Sequence, residues 1–222
     1  MVSPCWGSSP LPAMPLSTPP RQRLLEVNGG CWEGLFVRLG PDGREIERFP
    51  TRLLVTDQDG SIEAALTYLN SGRTVPMRFN EPPAAMQISA AGHWSLGIDR
   101  TGPWPWIAEL CVAHGDRRRR IVLRHGVDAL ESLTYAREWR PGVTEAGPAT
   151  PLVASLQAVE ADSAAASRWC LDENVEVVIV HPPTPPGPVQ VSLTWQVDAD
   201  VRCRIERRYS PYGLLEPLAA DR

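Results

Sequence analysis

The chain has 222 residues, a formal net charge of −4 and a pI near 5.6. This length allows one large or two small domains with cores of their own, so we do not expect a wholly disordered chain. The acidic balance argues against binding to nucleic acid or to an anionic membrane, because both usually need a strongly basic face. All the basic residues are arginine, since the sequence contains no lysine.

The first 24 residues are proline-rich and are predicted to form a disordered tail. They lack the continuous apolar stretch of a secretory signal, and no later run approaches the ~20 apolar residues of a membrane span. The cysteines are odd in number, widely scattered and without a C-x-x-C pair, which argues against a disulfide framework or a zinc site. We therefore expect a cytoplasmic protein with no membrane span, metal or cofactor.

Residues 25–140 predict a closed antiparallel barrel. After the break at Asn28-Gly29-Gly30, alternating side chains from Trp32 onward predict a strand, and Gly40-Pro41-Asp42-Gly43 predicts the turn of a hairpin. Short β-prone runs separated by turn residues continue to Trp139, giving about nine strands with almost no helical periodicity. Many short sequential strands form a sandwich or an up-and-down barrel, and closure favours the barrel because it removes unprotected edges.

The remaining residues predict a linker over 141–172, with room for one short strand or helix, and a shortened second β unit over 173–222. An internal repeat supports a relation between the two units. Sliding the chain by 84 positions aligns two hairpins that share five identical residues. These pairs are Arg118 with Arg202, Arg120 with Arg204, Ile121 with Ile205, Arg124 with Arg208, and Leu130 with Leu214.

The pattern Gly30-x-Trp32 at the head of the first strand resembles the opening motif of lipocalin-like (calycin) barrels. In that superfamily the tryptophan closes one end of the barrel and an arginine from a late strand stacks on it. The resemblance makes Arg120 or Arg124 the expected partner of Trp32. Trp32 is then either part of a ligand-cavity floor or a core residue that closes the barrel.

A broader resemblance rests on three segments: Trp32 to Leu39, the run HGDRRRRIVLRH with the later stretch Leu133 to Glu138, and Val201 to Gly213. Together they resemble an uncharacterised, mainly cyanobacterial family with a domain of unknown function and a lipocalin-like fold. The resemblance implies paired β units, the second of them degenerate here. Calycin relatives bind small apolar or amphipathic molecules, and a similar barrel serves phycobiliprotein lyases, which handle bilins.

Two groups of side chains are the candidate ligand contacts besides Trp32. Arg118, Arg120 and Arg124 share one face of a strand, where they line the barrel mouth and clamp a carboxylate or else simply face water. Trp104 and Trp106 form a stiff Trp-Pro-Trp loop that serves as a lid, a structural plug or an interface patch.

No catalytic motif is present: the sequence has no phosphate loop, dinucleotide-binding turn or nucleophile elbow, and its histidines lack metal-ligand spacing. We expect a binding protein for a small hydrophobic or amphipathic ligand. Two alternatives stay open, a phycobilin lyase-like chromophore chaperone and a non-catalytic protein-interaction module. A filled barrel interior would favour the last of these.

Overall fold

The computed structural model describes residues 18–161, 164–180 and 189–219. It contains one helix, α1 (Pro20–Asn28). The first nine strands are β1 (Gly30–Leu39), β2 (Glu45–Gln58), β3 (Ser61–Tyr68), β4 (Thr74–Phe79), β5 (Gln87–Ile88), β6 (Trp94–Gly97), β7 (Trp106–His114), β8 (Arg117–His125) and β9 (Leu130–Trp139). The remaining five are β10 (Ser155–Ala161), β11 (Ala164–Asp172), β12 (Val175–Val180), β13 (Val189–Gln196) and β14 (Arg202–Tyr209).

The first nine strands form one curled antiparallel sheet in the order β4-β3-β2-β1-β9-β8-β7-β6-β5. Its tight turns depend on residues with positive φ, such as Asp59 and Gly60 between β2 and β3. The predicted antiparallel barrel is confirmed as a barrel-like sheet. Within residues 18–161, however, no ladder pairs β4 with β5, so the predicted closure is not made by strand pairing.

The concave face of this sheet is closed at one end by helix α1. Leu24 of the helix packs with Ile62, Trp94 and Cys111 from three strands of the sheet. The helix begins at Pro20, where a missing N–H costs nothing, and it ends where Gly29 N–H donates to Leu25 O. Residues 20–24 are therefore helical rather than part of the predicted tail, while residues 1–17 lie outside the described ones.

The last five strands form a second antiparallel sheet in chain order, β10 to β14. It packs on the convex face of the first sheet, where Leu110, Ile121 and Tyr135 meet Trp195 and Ile205 in one shared core. Ile121 and Ile205 are equivalent residues of the repeat, so the two related hairpins face each other through the same side.

The structure differs from the predicted linker, because residues 155–172 hold β10 and most of β11. Small residues such as Ala158 and Ala166, spaced by polar ones, gave this segment little hydrophobic periodicity. Its strand character comes from pairing: Leu156 lies opposite Trp169, and Trp169 lies opposite Val177. Tertiary context thus overrides a weak local preference.

Candidate functional site

Trp32 lies fully buried at the closed end of the barrel between two guanidinium groups. The Cζ atoms of Arg118 and Arg140 are 4.4 Å and 3.8 Å from its ring centroid. Each stacked cation stabilises such a site by roughly 0.5–2 kcal/mol. The sequence predicted Arg120 or Arg124 as the stacking partner, and that prediction is wrong: Arg118 is two residues nearer the closed end, and Arg140 follows the last strand of the first sheet.

Arg140 also fixes the end of the helix. Its guanidinium donates to the carbonyl oxygens of Val27, Gly29 and Cys31, which lie at or just beyond the carboxyl end of α1. A cation at this end of a helix is favoured by the helix dipole. Burial and the nearby positive charge of Arg118 lower the pKa of Arg140.

A buried ion network covers the level above Trp32. Arg118 donates twice to Glu138, at 2.9 and 2.8 Å, and Arg120 donates to Glu138 and to Glu109, both at 2.9 Å. Arg118, Arg120 and Glu138 are each less than 5% exposed. The sequence left open whether these arginines line the barrel or face water. Arg118 and Arg120 point into the barrel, so a water-facing position is excluded for these two.

Small residues on the neighbouring strands make room for this network. A Cβ on Gly34 would lie 2.8 Å from Glu138 Cγ, so the carboxylate side chain crosses the place that a larger residue would occupy. Ala136 lies between Phe36 and Arg120 in the strand register, and the Arg120 guanidinium reaches over it to within 4.8 Å of the Phe36 ring centroid. The Arg–Glu cluster therefore fills the closed half of the barrel.

The electrostatics of the network keep Glu138 and Arg120 ionised. Burial by itself raises the pKa of Glu138, but Arg118 and Arg120 outweigh it and hold that pKa below the usual value. Burial likewise opposes the charge on Arg120, whereas Glu138 and Glu109 raise its pKa. Such a network is costly to break at one member, because the remaining charge would be left buried without compensation.

Asn28, which the sequence suggested only as part of a bend, joins the helix to the barrel wall. Its side chain donates to Gly92 O at 3.0 Å and accepts from Trp94 Nε1 at 3.1 Å. Its backbone carbonyl oxygen accepts from Trp32 Nε1. Cys111 lies beside it, and burial raises the pKa of that thiol to about 12. This thiol is thus not a nucleophile at neutral pH.

The open half of the barrel differs in character. Phe36, Phe49 and Tyr68 form a row across three strands, with centroid separations of 5.6 and 5.3 Å. On the same concave face by register, Ile107 is 40% exposed. The Glu109 side chain is 24% exposed, so solvent reaches the Arg120–Glu109 pair. That pair, the floor of the open half, lies where the buried ion network meets partly exposed apolar and aromatic side chains of the concave face.

The other predicted contacts lie apart from this floor. Arg124 is exposed on the concave side at the open end of β8. Trp106 is buried in the core between the two sheets, where its ring stacks on His125 at 5.2 Å. Trp104 is 45% exposed on the loop before β7. The structure thus brings together Trp32, Arg118 and Arg120, but separates Arg124, Trp104 and Trp106 from them.

A second polar cluster ties the two sheets together. Glu145 accepts hydrogen bonds from Arg119 and Arg137 at 2.6 Å, and Asp172 of the second sheet accepts one from Tyr135 at 2.6 Å. Burial raises the pKa of Tyr135 well above its usual value. Because Asp172 belongs to β11, this cluster works as an inter-sheet contact, and no local sequence pattern predicts it.

Other kinds of site find little support. In residues 18–161, 164–180 and 189–219 no group of His, Cys, Asp and Glu side chains is placed to hold a metal ion. No helix in these ranges is long and apolar enough to span a bilayer. A cavity of about 230 Å³ at the end of the second sheet, beside Asp172 and Thr194, is smaller than ligand sites usually are.

The N-terminal family model of a domain of unknown function, DUF3598, matches residues 20–143, which is more than half of the chain. The chain belongs to the DUF3598 family. Its fold is similar to the crystal structure of a DUF3598 protein of unknown function from the cyanobacterium Nostoc punctiforme. The two chains are 17% identical, the match covers 89% of this chain and 96% of that one, and the TM-score is 0.74.

At this identity the likeness to the Nostoc protein shows the fold alone. A comparison with curated proteins gives no match. The resemblance to an uncharacterised family with cyanobacterial members is confirmed, and the DUF3598 barrel-like fold is compatible with ligand binding. Only the site itself carries information on function.

Proposed function

We propose that this DUF3598 protein is a non-catalytic binding protein for a small hydrophobic or amphipathic molecule, held in the open half of the barrel. The observation that carries the proposal is the change from charged to apolar side chains along the concave face. Below the Arg120–Glu109 pair the barrel is filled by ion pairs, whereas toward the open end the apolar side chain of Ile107 is exposed on the concave face opposite Arg124. Exposed apolar groups in a concavity mark binding sites.

In this proposal the predicted ligand contacts take different roles. Arg120 belongs to the floor and Arg124 to the rim, and Phe49 and Tyr68 provide an aromatic wall. Trp32 and Arg118 lie beneath the floor and support it without touching the ligand. Trp104 and Trp106 have no part in the barrel site.

Fluorescence titration with the neutral probe aminoanthracene tests the proposal. Ile107→Glu places a charge on the concave wall, and we expect it to weaken probe binding at least about tenfold, because the ligand would have to desolvate a carboxylate. Leu54→Glu is the matched control: Leu54 is 46% exposed on the outer face of β2. Equal effects of the two variants, or no binding to the unaltered protein, would contradict the proposal.

A chromophore chaperone of the phycobilin lyase type is a more specific version of this function. Glu109 beside Arg120 supports it, since such a protein needs an acidic residue near an arginine that can hold a propionate. Co-expression with a bilin pathway should then give a purified protein with visible absorbance that is weakened in Arg120→Lys, which keeps the buried charge but lacks the planar fork. Colourless protein from the same cells would argue against it.

A protein-interaction module is the second candidate function. Tyr212 and Leu214 are 79% and 53% exposed, and backbone pairing of Arg100 with Leu214 holds them near the loop that carries Trp104. These three side chains would form an apolar contact patch. A cross-linked partner that is lost in Trp104→Ser and Tyr212→Ser but kept in Leu54→Glu would support it.

A further inference from the structure

The outer edge of β10 is an open strand edge. β10 ends the five-stranded sheet, and within the described ranges no other strand pairs with its far side. The side chains of residues 155–158 are exposed on both faces of the sheet, with that of Leu156 at 40%. The strand has the sequence SLQAVEA, without proline or a positive charge. Such an edge is a template for pairing with another strand.

The other three sheet edges are protected against such pairing. On β4, Tyr68 N–H donates to Arg73 O, so the backbone of Arg73 faces β3 and that of Pro76 faces outward, where it offers no N–H. β5 has only two residues. The edge of β14 is partly covered by the segment that follows it, through a bridge between Tyr209 and Leu215. β10 differs from all three, and natural proteins seldom leave such an edge without a partner.

Alternate residues of β10 direct their backbone groups to the open side. Ala161 pairs with Ala164 across a two-residue connection, so this pair and every second one after it are hydrogen-bonded to β11. The residues between them face away from β11, and Ala154 N–H accordingly donates to Gly43 O of the first sheet. The backbone groups that face the open side are those of Leu156, Ala158 and Glu160.

These three residues are complementary to a second copy of the same strand. In an antiparallel pair with Ala158 on the two-fold axis, Ala158 lies opposite Ala158, and Leu156 opposite Glu160 of the other copy. Each of these pairs exchanges two backbone hydrogen bonds, whereas an axis one residue away leaves one outward residue of each strand without a partner in β10. Glu160 is the only charged residue of β10, and in this register it faces a neutral one, so no like charges are opposed.

We propose that β10 is a dimerisation edge, at which two copies of this chain pair their β10 strands antiparallel about a two-fold axis at Ala158. The two five-stranded sheets then form one continuous sheet, and the contact is closed because each copy uses the same surface. The interface of one strand is small, so the dimer is in reversible equilibrium with the monomer. The inference is independent of the proposed ligand site, which lies inside the first sheet.

Sedimentation velocity of the full chain, from about 5 to 500 µM, tests the proposal. We expect a monomer at the lowest concentration and a dimer at the highest. Ala158→Pro removes an outward N–H that the sheet itself does not use, and it should weaken the dimer at least about tenfold. Ala158→Lys leaves the backbone intact and opposes two like charges on the axis, so it should weaken the dimer as well.

Thr74→Pro and Thr74→Lys are the matched controls. Thr74 is exposed, and its backbone faces the same outer edge of β4 as that of Pro76. Both variants should dimerise like the unaltered protein. An unaltered protein that stays monomeric at about 500 µM would overturn the proposal. Equal weakening by the substitutions at Ala158 and at Thr74 would do so too, because the effect would then not belong to the edge of β10.

Amide hydrogen exchange measures the register of the pair. In concentrated protein the amides of Leu156, Ala158 and Glu160 should exchange at least about tenfold more slowly than in dilute protein. The amides of Gln157 and Val159 bond to β11 in monomer and dimer alike, so their exchange should not depend on concentration. A dimer without this alternation, or one that both substitutions of Ala158 leave intact, would place the contact on another surface and refute the dimerisation edge.

Discussion

The strands β8 and β14 have the same spacing of arginines, but the arginine side chains differ in burial. Arg118 and Arg120 of β8 are inside the barrel, whereas their equivalents Arg202 and Arg204 of β14 are exposed. On β8, Glu138 neutralises the arginines from the next strand. On β14, Glu206 pairs with Arg204 and Arg208 at the surface.

The position of each strand in its sheet explains the difference. β8 lies within the nine-stranded sheet, with the second sheet on one side and the barrel interior on the other, so both of its faces are covered. β14 is the edge strand of the second sheet and has only one face against the core. The same arginine spacing is therefore a surface pattern on one strand and a candidate ligand floor on the other.

Replacing equivalent arginines should give the largest contrast between the strands. Arg118→Met leaves Glu138 short of a partner and unstacks one face of Trp32, so we expect a loss of about 3–5 kcal/mol in the free energy of unfolding. Arg202→Met should change it by less than about 0.5 kcal/mol. Urea unfolding of both variants measures the contrast. Equal losses would mean that β8 and β14 do not differ in burial as described.

The one buried arginine of β14 should come next in effect. Arg207 is fully buried and donates to Tyr209 Oη at 2.7 Å and to Ile98 O at 2.6 Å. Arg207→Leu removes the donor to Tyr209 Oη and to Ala85 O, while Ile98 O keeps the hydrogen bond that Tyr209 Oη donates, and we expect a loss of about 2–3 kcal/mol. The change at the equivalent position of β8, Leu123→Met, conserves volume and should cost less than about 1.5 kcal/mol. Thermal or urea denaturation compares them, and the reverse order would refute this account.

Acid should weaken the barrel floor. The folded-state pKa of Glu138 is lowered, so its stabilisation is present above the unfolded pKa of about 4.3 and is lost as the pH falls toward the folded value. We expect the urea midpoint to drop between about pH 5 and pH 3, with a smaller drop in Glu138→Gln. Glu45 and Glu145 have lowered pKa values too, so part of the loss of stability in acid should persist in Glu138→Gln. Identical pH curves for both proteins would contradict this role of Glu138.

The surface pairs of β14 should matter least. Glu206→Gln removes the partner of Arg204 and Arg208, whose side chains are 43% and 44% exposed. Exposed ion pairs contribute about 0–1 kcal/mol, so the free energy of unfolding should fall by no more than that. A loss comparable with that of Arg118→Met, measured in the same urea series, would show that the β14 pairs are not surface pairs.

Much of the fold could be predicted from local signals. Turn residues and period-two alternation gave the strand-rich first unit, and the repeat indicated the second. The strand β11 was missed because its alanine-rich start has little periodicity, and its pairing with β12 supplies what the local pattern lacks. The candidate site was predicted in part: Trp32, Arg118 and Arg120 meet, but Asn28, Glu138 and Arg140 were missed, because nothing local marks a partner from a distant strand.

The sequence by itself determined that this protein is an all-β chain with a tryptophan at the head of its first strand and arginines at alternate positions of two related strands. Alternation shows which side chains share a face, and that is a local property of the backbone. Only the tertiary structure decided which face is inside. The curl of the sheet and the packing of the second sheet cover both sides of β8, and burial then required the glutamates that hold its arginines as a charged floor.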